Sequence, residues 1–195
     1  GDVWLEDPLQ SSYPPSIAVK AAQMQDHEKA ILFLREIREM VFLKKRNITK
    51  WEHLEAAAKS VGLDLNKFKE DYNGRAKELF NEDLTLGKQL GVRGFPTMFF
   101  TDTSGKTETV YGSKPYEAFE NVIIKLLPKV QKINYDKSTT AVFSHYQSLT
   151  AKEYSVLTET AKSQGEQVLN DLVANGKLEK LTTKNGSVWK LKNAE

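Results

Sequence analysis

The sequence predicts an α/β chain built in three parts. A helical block comes first, a strand pair with one helix second, and a small helix-and-hairpin tail third. Three observations carry this. Apolar residues recur at helical spacing from residue 14 to residue 90, broken only by short polar joints. The runs TMFFT and TETVY then change the texture to strand character, with DTSGK between them as a turn. Near the end, Asn185-Gly186 sits between KLEKLTT and SVWKL, a strong short-range hairpin signal.

The elements follow in order. Residues 1–13 have no period and read as a loop. Pro14 and Pro15 suit the first turn of a helix, where proline lacks no bond it could have made. Asp26 is placed to cap a second helix, HEKAILFLREIREMVFLKK, with Ile31, Leu34, Ile37, Met40 and Val41 as one apolar face. Thr49 and Glu52 have the spacing of a capping box for a helix carrying Trp51, Leu54, Ala58 and Val61, closed by Gly62. LDLNKFKEDYNG reads as a short helix ending at Asn73-Gly74. RAKELFNEDLTLGKQL reads as a long one, with Ala76, Leu79, Phe80, Leu84 and Leu90 roughly on one side and Gly91 at its end.

Thr97 to Thr101 and TETVY are close enough for an antiparallel hairpin. Pro115 opens a helix whose Tyr116, Phe119, Val122, Ile123 and Leu126 share a face, and Pro128 ends it. Residues 128–138 are polar enough for a linker. Beyond them TAVFSHYQSL is helix-like, and capping boxes at Thr150/Glu153 and Ser163/Glu166 open two further short helices, the second stopped by Gly176. Three helices followed by a two-stranded wing is the order of a winged helix.

Composition bounds the function. The chain has 195 residues, 28 Lys plus Arg against 26 Asp plus Glu, and a formal charge of +2. That balance argues against nucleic acid or an anionic membrane as a partner. No apolar run reaches the ~18 residues of a membrane span. GDVWLEDPLQ lacks the basic and apolar regions of a secretory signal, so a cytoplasmic setting is expected. There is no cysteine, which removes thiol catalysis, disulfides and Cys-ligated metal from these residues. His27, His53 and His145 are isolated in the sequence. No metal, cofactor or catalytic residue is expected, and neither a phosphate-binding loop nor a serine-nucleophile signature occurs.

The order helix, turn, proline, strand, strand, glycine, helix resembles the second half of a thioredoxin fold. Three stretches sharpen the resemblance: QSSYPPSIAVKAAQMQ, EDLTLGKQLGVRGFPTMFF, and the segment from YQSLTAKEYSVLT to NGSVWKL. Together they resemble the DsbA-like thioredoxin family, in its cytoplasmic FrnE-like branch of dithiol-disulfide isomerases. The implied fold is a partial thioredoxin-like one with an all-helical insertion and a winged-helix-like tail. The division is 1–127 for the thioredoxin remnant (insertion 14–90; proline loop, hairpin and last helix 92–127), 128–138 for the linker, and 139–195 for the tail. In that family a Cys-x-x-Cys segment and two strands precede the insertion. The chain begins where the insertion begins, so roughly 50 residues are expected to be missing from its N-terminal side, given the size of a βαβ unit.

The resemblance points to the loop Arg93, Gly94, Phe95, Pro96 and Thr97 as a substrate-binding element. A cis Phe95-Pro96 bond would turn the backbone outward, where the groups of Phe95 could pair with an extended peptide. Gly94 permits close approach, and Arg93 places a charge at the rim. The competing reading is an ordinary trans turn entering a strand. Two main functions follow. One is a thiol-disulfide oxidoreductase or isomerase acting on protein or peptide thiols, inactive in this cysteine-free chain. The other is a non-catalytic adaptor that binds a protein partner. A DNA-reading tail is the third, with Lys162, Gln164, Gln167, Asn170 and Lys184 as its polar candidates. It is disfavoured, since residues 138–195 contain no arginine. An oligomer is compatible with an exposed sheet edge.

Overall fold

A computed structural model of the chain describes residues 3–184 and 186–192. They fall into two compact units, one of Val3–Lys132 and one that starts at Ile133.

The first unit opens with a single helical turn, α1 (Val3–Glu6), where the sequence suggested only loop. The reason is Val3, which is buried in the core and anchors the turn. Helices α2 (Tyr13–Gln25) and α3 (His27–Phe42) are separated by Asp26 alone. Its extended backbone ends one helix, and its carboxylate accepts from the Lys29 amide at 3.0 Å to start the next. Ala18, Ala21 and Ala22 of α2 are fully buried. Their small side chains let neighbouring helices approach closely.

The remaining helices of the block are α4 (Trp51–Ser60), α5 (Leu65–Asn73) and α6 (Arg75–Gln89). Phe33 meets Phe68 edge-on at 5.5 Å between centroids, and Trp51 stacks on Phe68 at 5.6 Å. Such aromatic pairs favour these offset geometries over a face-to-face sandwich. Two long-range contacts tie the loops. Lys29 Nζ donates to the Gly62 carbonyl at 2.8 Å, and Gln25 exchanges two hydrogen bonds of 3.0 Å with the backbone of Asp64.

Three expectations are corrected here. The Thr49/Glu52 capping box does not form. Asn47 Oδ1 accepts from both the amide and the hydroxyl of Thr49, at 2.9 and 2.6 Å, so Thr49 is held in an Asx-type turn and Lys50 takes the cap position. The core face of α3 is Ala30, Phe33, Ile37, Met40 and Val41, while Ile31 and Leu34 are exposed. On α6 only Ala76 is buried, and Leu90 is exposed.

Strands β1 (Thr97–Thr101) and β2 (Thr107–Tyr111) form an antiparallel two-stranded sheet with Thr97 opposite Tyr111 and Thr101 opposite Thr107. Asp102 builds the turn, its Oδ1 accepting from the amides of Ser104 and Lys106 and from the Ser104 hydroxyl. These donors, led by the Ser104 hydroxyl, hold the Asp102 carboxyl below the ordinary carboxylate range. Helix α7 (Tyr116–Leu126) packs on the hairpin through Phe119 against Phe100, and Lys125 Nζ pairs with Glu108 at 2.7 Å. The expected apolar face of α7 is covered only in part: none of its residues is buried, and Tyr116 and Ile123 are exposed.

The second unit contains α8 (Thr139–His145), β3 (Ser148–Thr150), α9 (Ala151–Thr158), α10 (Lys162–Ala174), β4 (Leu178–Thr183) and β5 (Gly186–Leu191). The sheet is antiparallel with order β3-β5-β4. β3 went unread in the sequence because three residues carry no period. Trp189, Leu169, Phe143, Tyr154 and Leu149 make the core. The Thr150/Glu153 capping box forms reciprocally, at 3.2 and 2.7 Å. The Ser163/Glu166 box does not, since α10 begins at Lys162 with Ala161 at the cap. Thr183 pairs with Gly186 at the hairpin end. Asn185, the other half of the expected turn signal, lies outside the described residues.

Candidate functional site

The loop from α6 into β1 is where the first unit presents its most exposed apolar side chain. Gly91, at φ +70, ends the α6 segment after Leu90. The chain then passes Arg93 and Gly94 to a cis Phe95-Pro96 bond, the geometry read from the sequence. Phe95 is 92% exposed at the turn.

The loop's footing is well tied. The Pro96 carbonyl accepts from the Gly112 amide at 2.9 Å, so the strand pair closes directly behind the proline. The Thr97 hydroxyl donates to the Gly94 carbonyl at 2.7 Å. Tyr111 lies across Gly94, its hydroxyl 2.8 Å from where a Cβ would stand. Among the described residues, no hydrogen bond occupies the amide or carbonyl of Phe95. Arg93 is exposed and has no ion-pair partner among the described residues.

All five residues named from the sequence are thus brought together, because they are contiguous. Arg93, Phe95 and Pro96 are exposed, while Gly94 and Thr97 are half-buried. Tyr111 was missed. A signal for it existed: TMFFT and TETVY are five residues each, and full register sets Tyr111 opposite Thr97. Met98 is also exposed.

The chemistry available is limited. Arg93 is the loop's sole ionisable side chain, and the chain has no thiol. What the loop offers is an apolar knob, open backbone groups and one cation, a set suited to holding a peptide or protein surface. His53 Nδ1 lies 2.7 Å from the Asn47 carbonyl, within the loop network of the helical block. No described residues form a metal-holding group of His, Asp and Glu, and no described helix is long and apolar enough to cross a membrane.

Comparison with known proteins places the fold. The chain is 33% identical over 193 residues to the ClpXP adapter protein SpxH of Halalkalibacterium halodurans, covering 97% of this chain and 63% of the relative. It is 28% identical over 195 residues to the protein of the same name from Bacillus subtilis, covering 97% and 65%. The chain therefore spans slightly under two thirds of the length of these relatives. The crystal structure of a candidate protein disulfide isomerase from Nitrosomonas europaea superposes with a TM-score of 0.56 at 18% identity, covering 62% of this chain and 60% of that one. At that identity the match speaks for the fold alone. A family model described as thioredoxin matches residues 1–121. The match takes in the helical block, the Phe95-Pro96 loop and the hairpin: the chain belongs to the thioredoxin family.

Proposed function

We propose that this chain is a non-catalytic, protein-binding adaptor on a thioredoxin-like scaffold, with Arg93, Gly94, Phe95, Pro96 and Thr97 as its binding loop. The observation that carries this is Phe95, almost wholly exposed on a firmly footed loop in a chain without a thiol. Exposed large aromatics at a rigid turn are the kind of anchor that interfaces use. The relatives named as ClpXP adapters support the same reading across nearly the whole chain. By this reading the partner is a protein that the adaptor presents to a ClpXP-type protease, in the cytoplasm. Residues 139–195 form a separate winged-helix-like part after a 128–138 linker, serving protein contact.

The test replaces Phe95 with a photo-crosslinking phenylalanine analogue, identifies the captured protein, and measures that protein's degradation by purified ClpXP with and without the chain. Faster degradation that Phe95→Ser abolishes is the expected result. A captured protein whose degradation is unchanged by the chain would sink the adaptor role.

A second reading is a thiol-disulfide oxidoreductase or isomerase of the DsbA/FrnE-like branch. The resemblance of EDLTLGKQLGVRGFPTMFF to that branch favours it. Its reactive cysteines would have to lie outside these 195 residues. Insulin reduction by the 195-residue chain and by its parent gene product separates the two readings.

A further inference from the structure

Helix α3 is apolar on two sides, and only one side is used by the core. Ala30, Phe33, Ile37, Met40 and Val41 face inward. On the side flanking that face, next to Val41, Ile31, Leu34 and Phe42 are 58, 40 and 59% exposed. At 100° per residue these three and Arg38 fall within one narrow sector, at i, i+3, i+7 and i+11. The stripe is roughly 16 Å long, at about 1.5 Å per residue. A surface helix ordinarily turns polar residues to water outside its core face, so an apolar stripe left exposed beside that face is a candidate contact surface.

The charges beside the stripe are uneven. Between residues 35 and 46 the cations are Arg35, Arg38, Lys44, Lys45 and Arg46, and the acids are Glu36 and Glu39. Both acids are already engaged within the helix region: Glu39 with Arg35 at 2.7 Å, and Glu36 with Lys44. Arg38 and Arg46 have no ion-pair partner among the described residues. Glu28 lies one turn before Ile31 and is the stripe's acid neighbour at its N-terminal end.

This pattern selects among occupants. A bilayer surface wants a continuous apolar stripe with cations on its flanks, and here Arg38 interrupts the stripe between Leu34 and Phe42. A second copy packed antiparallel about the middle of the stripe would set each Arg38 beside the other copy's Arg35, a like-charge contact that the two-fold repeats. An acidic partner satisfies both the apolar residues and the arginine.

We propose that the exposed face of α3 docks an acidic amphipathic helix of a partner protein. Apolar residues of that helix pack on Ile31, Leu34 and Phe42, and a carboxylate pairs with Arg38. This surface does not depend on the Phe95 loop, and holds or fails separately from the adaptor reading.

The test uses the whole chain and a fluorescein-labelled, helix-forming peptide of about 18 residues, long enough to be helical in water. It carries leucines at i, i+4, i+7 and i+11, flanked by glutamates. Its twin carries lysines in place of the glutamates. Fluorescence anisotropy at fixed salt should show saturable binding of the acidic peptide, at least about tenfold weaker for Arg38→Glu and for Phe42→Ser. The lysine twin should not bind. Circular dichroism melting confirms that both variants stay folded. Three peptide results would overturn the proposal: no binding of the acidic peptide, equal binding by the variants, or equal binding of the twin. So would flotation with phosphatidylglycerol vesicles, or a sedimenting dimer, that Phe42→Ser abolishes while the acidic peptide does not bind.

Discussion

The Tyr111 hydroxyl rests 2.8 Å from the point where a side chain on Gly94 would begin, with its ring carbons 3.5 and 3.6 Å away. Real Cβ atoms do not sit that close to an oxygen, so Gly94→Ala forces the ring or the loop aside. Tyr111 is exposed on its strand and has room to yield. The expected cost is about 1 kcal/mol, at the low end for added volume in a packed contact. Pairing Gly94→Ala with Tyr111→Ala should recover most of it. Urea midpoints of the four proteins in the cycle measure this.

Phe95→Ala separates binding from stability. The side chain is almost free of the protein, so its loss should change stability by no more than about 0.5 kcal/mol. Binding to any protein captured at that loop should fall at least about tenfold. Denaturation and affinity measured on one preparation check both halves.

Two hydroxyls that look alike in sequence should behave differently. Thr150 caps α9 in a reciprocal box with Glu153, whereas Ser163 lies inside α10 and caps nothing. Thr150→Ala should cost about 1 kcal/mol. Ser163→Ala should lie within about 0.5 kcal/mol of zero. Thermal melts of the two single variants decide it.

Asn47 is buried and fully used: Nδ2 donates to Asp7 Oδ1 and the Pro8 carbonyl, and Oδ1 accepts twice from Thr49. Asn47→Ala should destabilise the helical block by about 2–3 kcal/mol, because buried donors and acceptors are left without partners. Trp51, close by in sequence, provides the fluorescence readout.

Asp7 gives that same corner a pH dependence. Its carboxylate is held below the ordinary range, first by the Lys50 ammonium at 2.6 Å and then by the Asn47 amide. A folded-state value below the unfolded one contributes stability above the unfolded value, near ~3.9, which is lost as pH falls through the folded value. Asp7→Asn should therefore be less stable than the parent at neutral pH, and the two should converge in acid. Melting temperatures across that range test the sign.

Much of this was legible in the chain itself. The strands Thr97–Thr101 and Thr107–Tyr111 and the end of α5 at Asn73 were read where they lie. Alternation and glycine punctuation are local signals, and these are local elements. The misreadings have local rivals as their cause. Thr49 had the right spacing for a cap, but Asn47, two residues earlier, competes for its hydroxyl and amide. On α3 the five residues from Ala30 to Leu34, before the charges set in, are all apolar, so period alone could not say which side turned inward. Tyr111 was harder to find because its role depends on strand register, a relation between two segments that only the matched lengths of TMFFT and TETVY signalled.

The two-stranded sheet also bears on how the protein behaves in solution. Each outer edge of β1 and β2 presents alternate backbone donors and acceptors that no described strand engages. Such an edge is a template, and occupying it follows mass action. A dilute sample and a concentrated one should therefore differ in infrared β-signal. A short extended peptide added in excess should compete with self-pairing, so that the change in β-signal titrates with peptide.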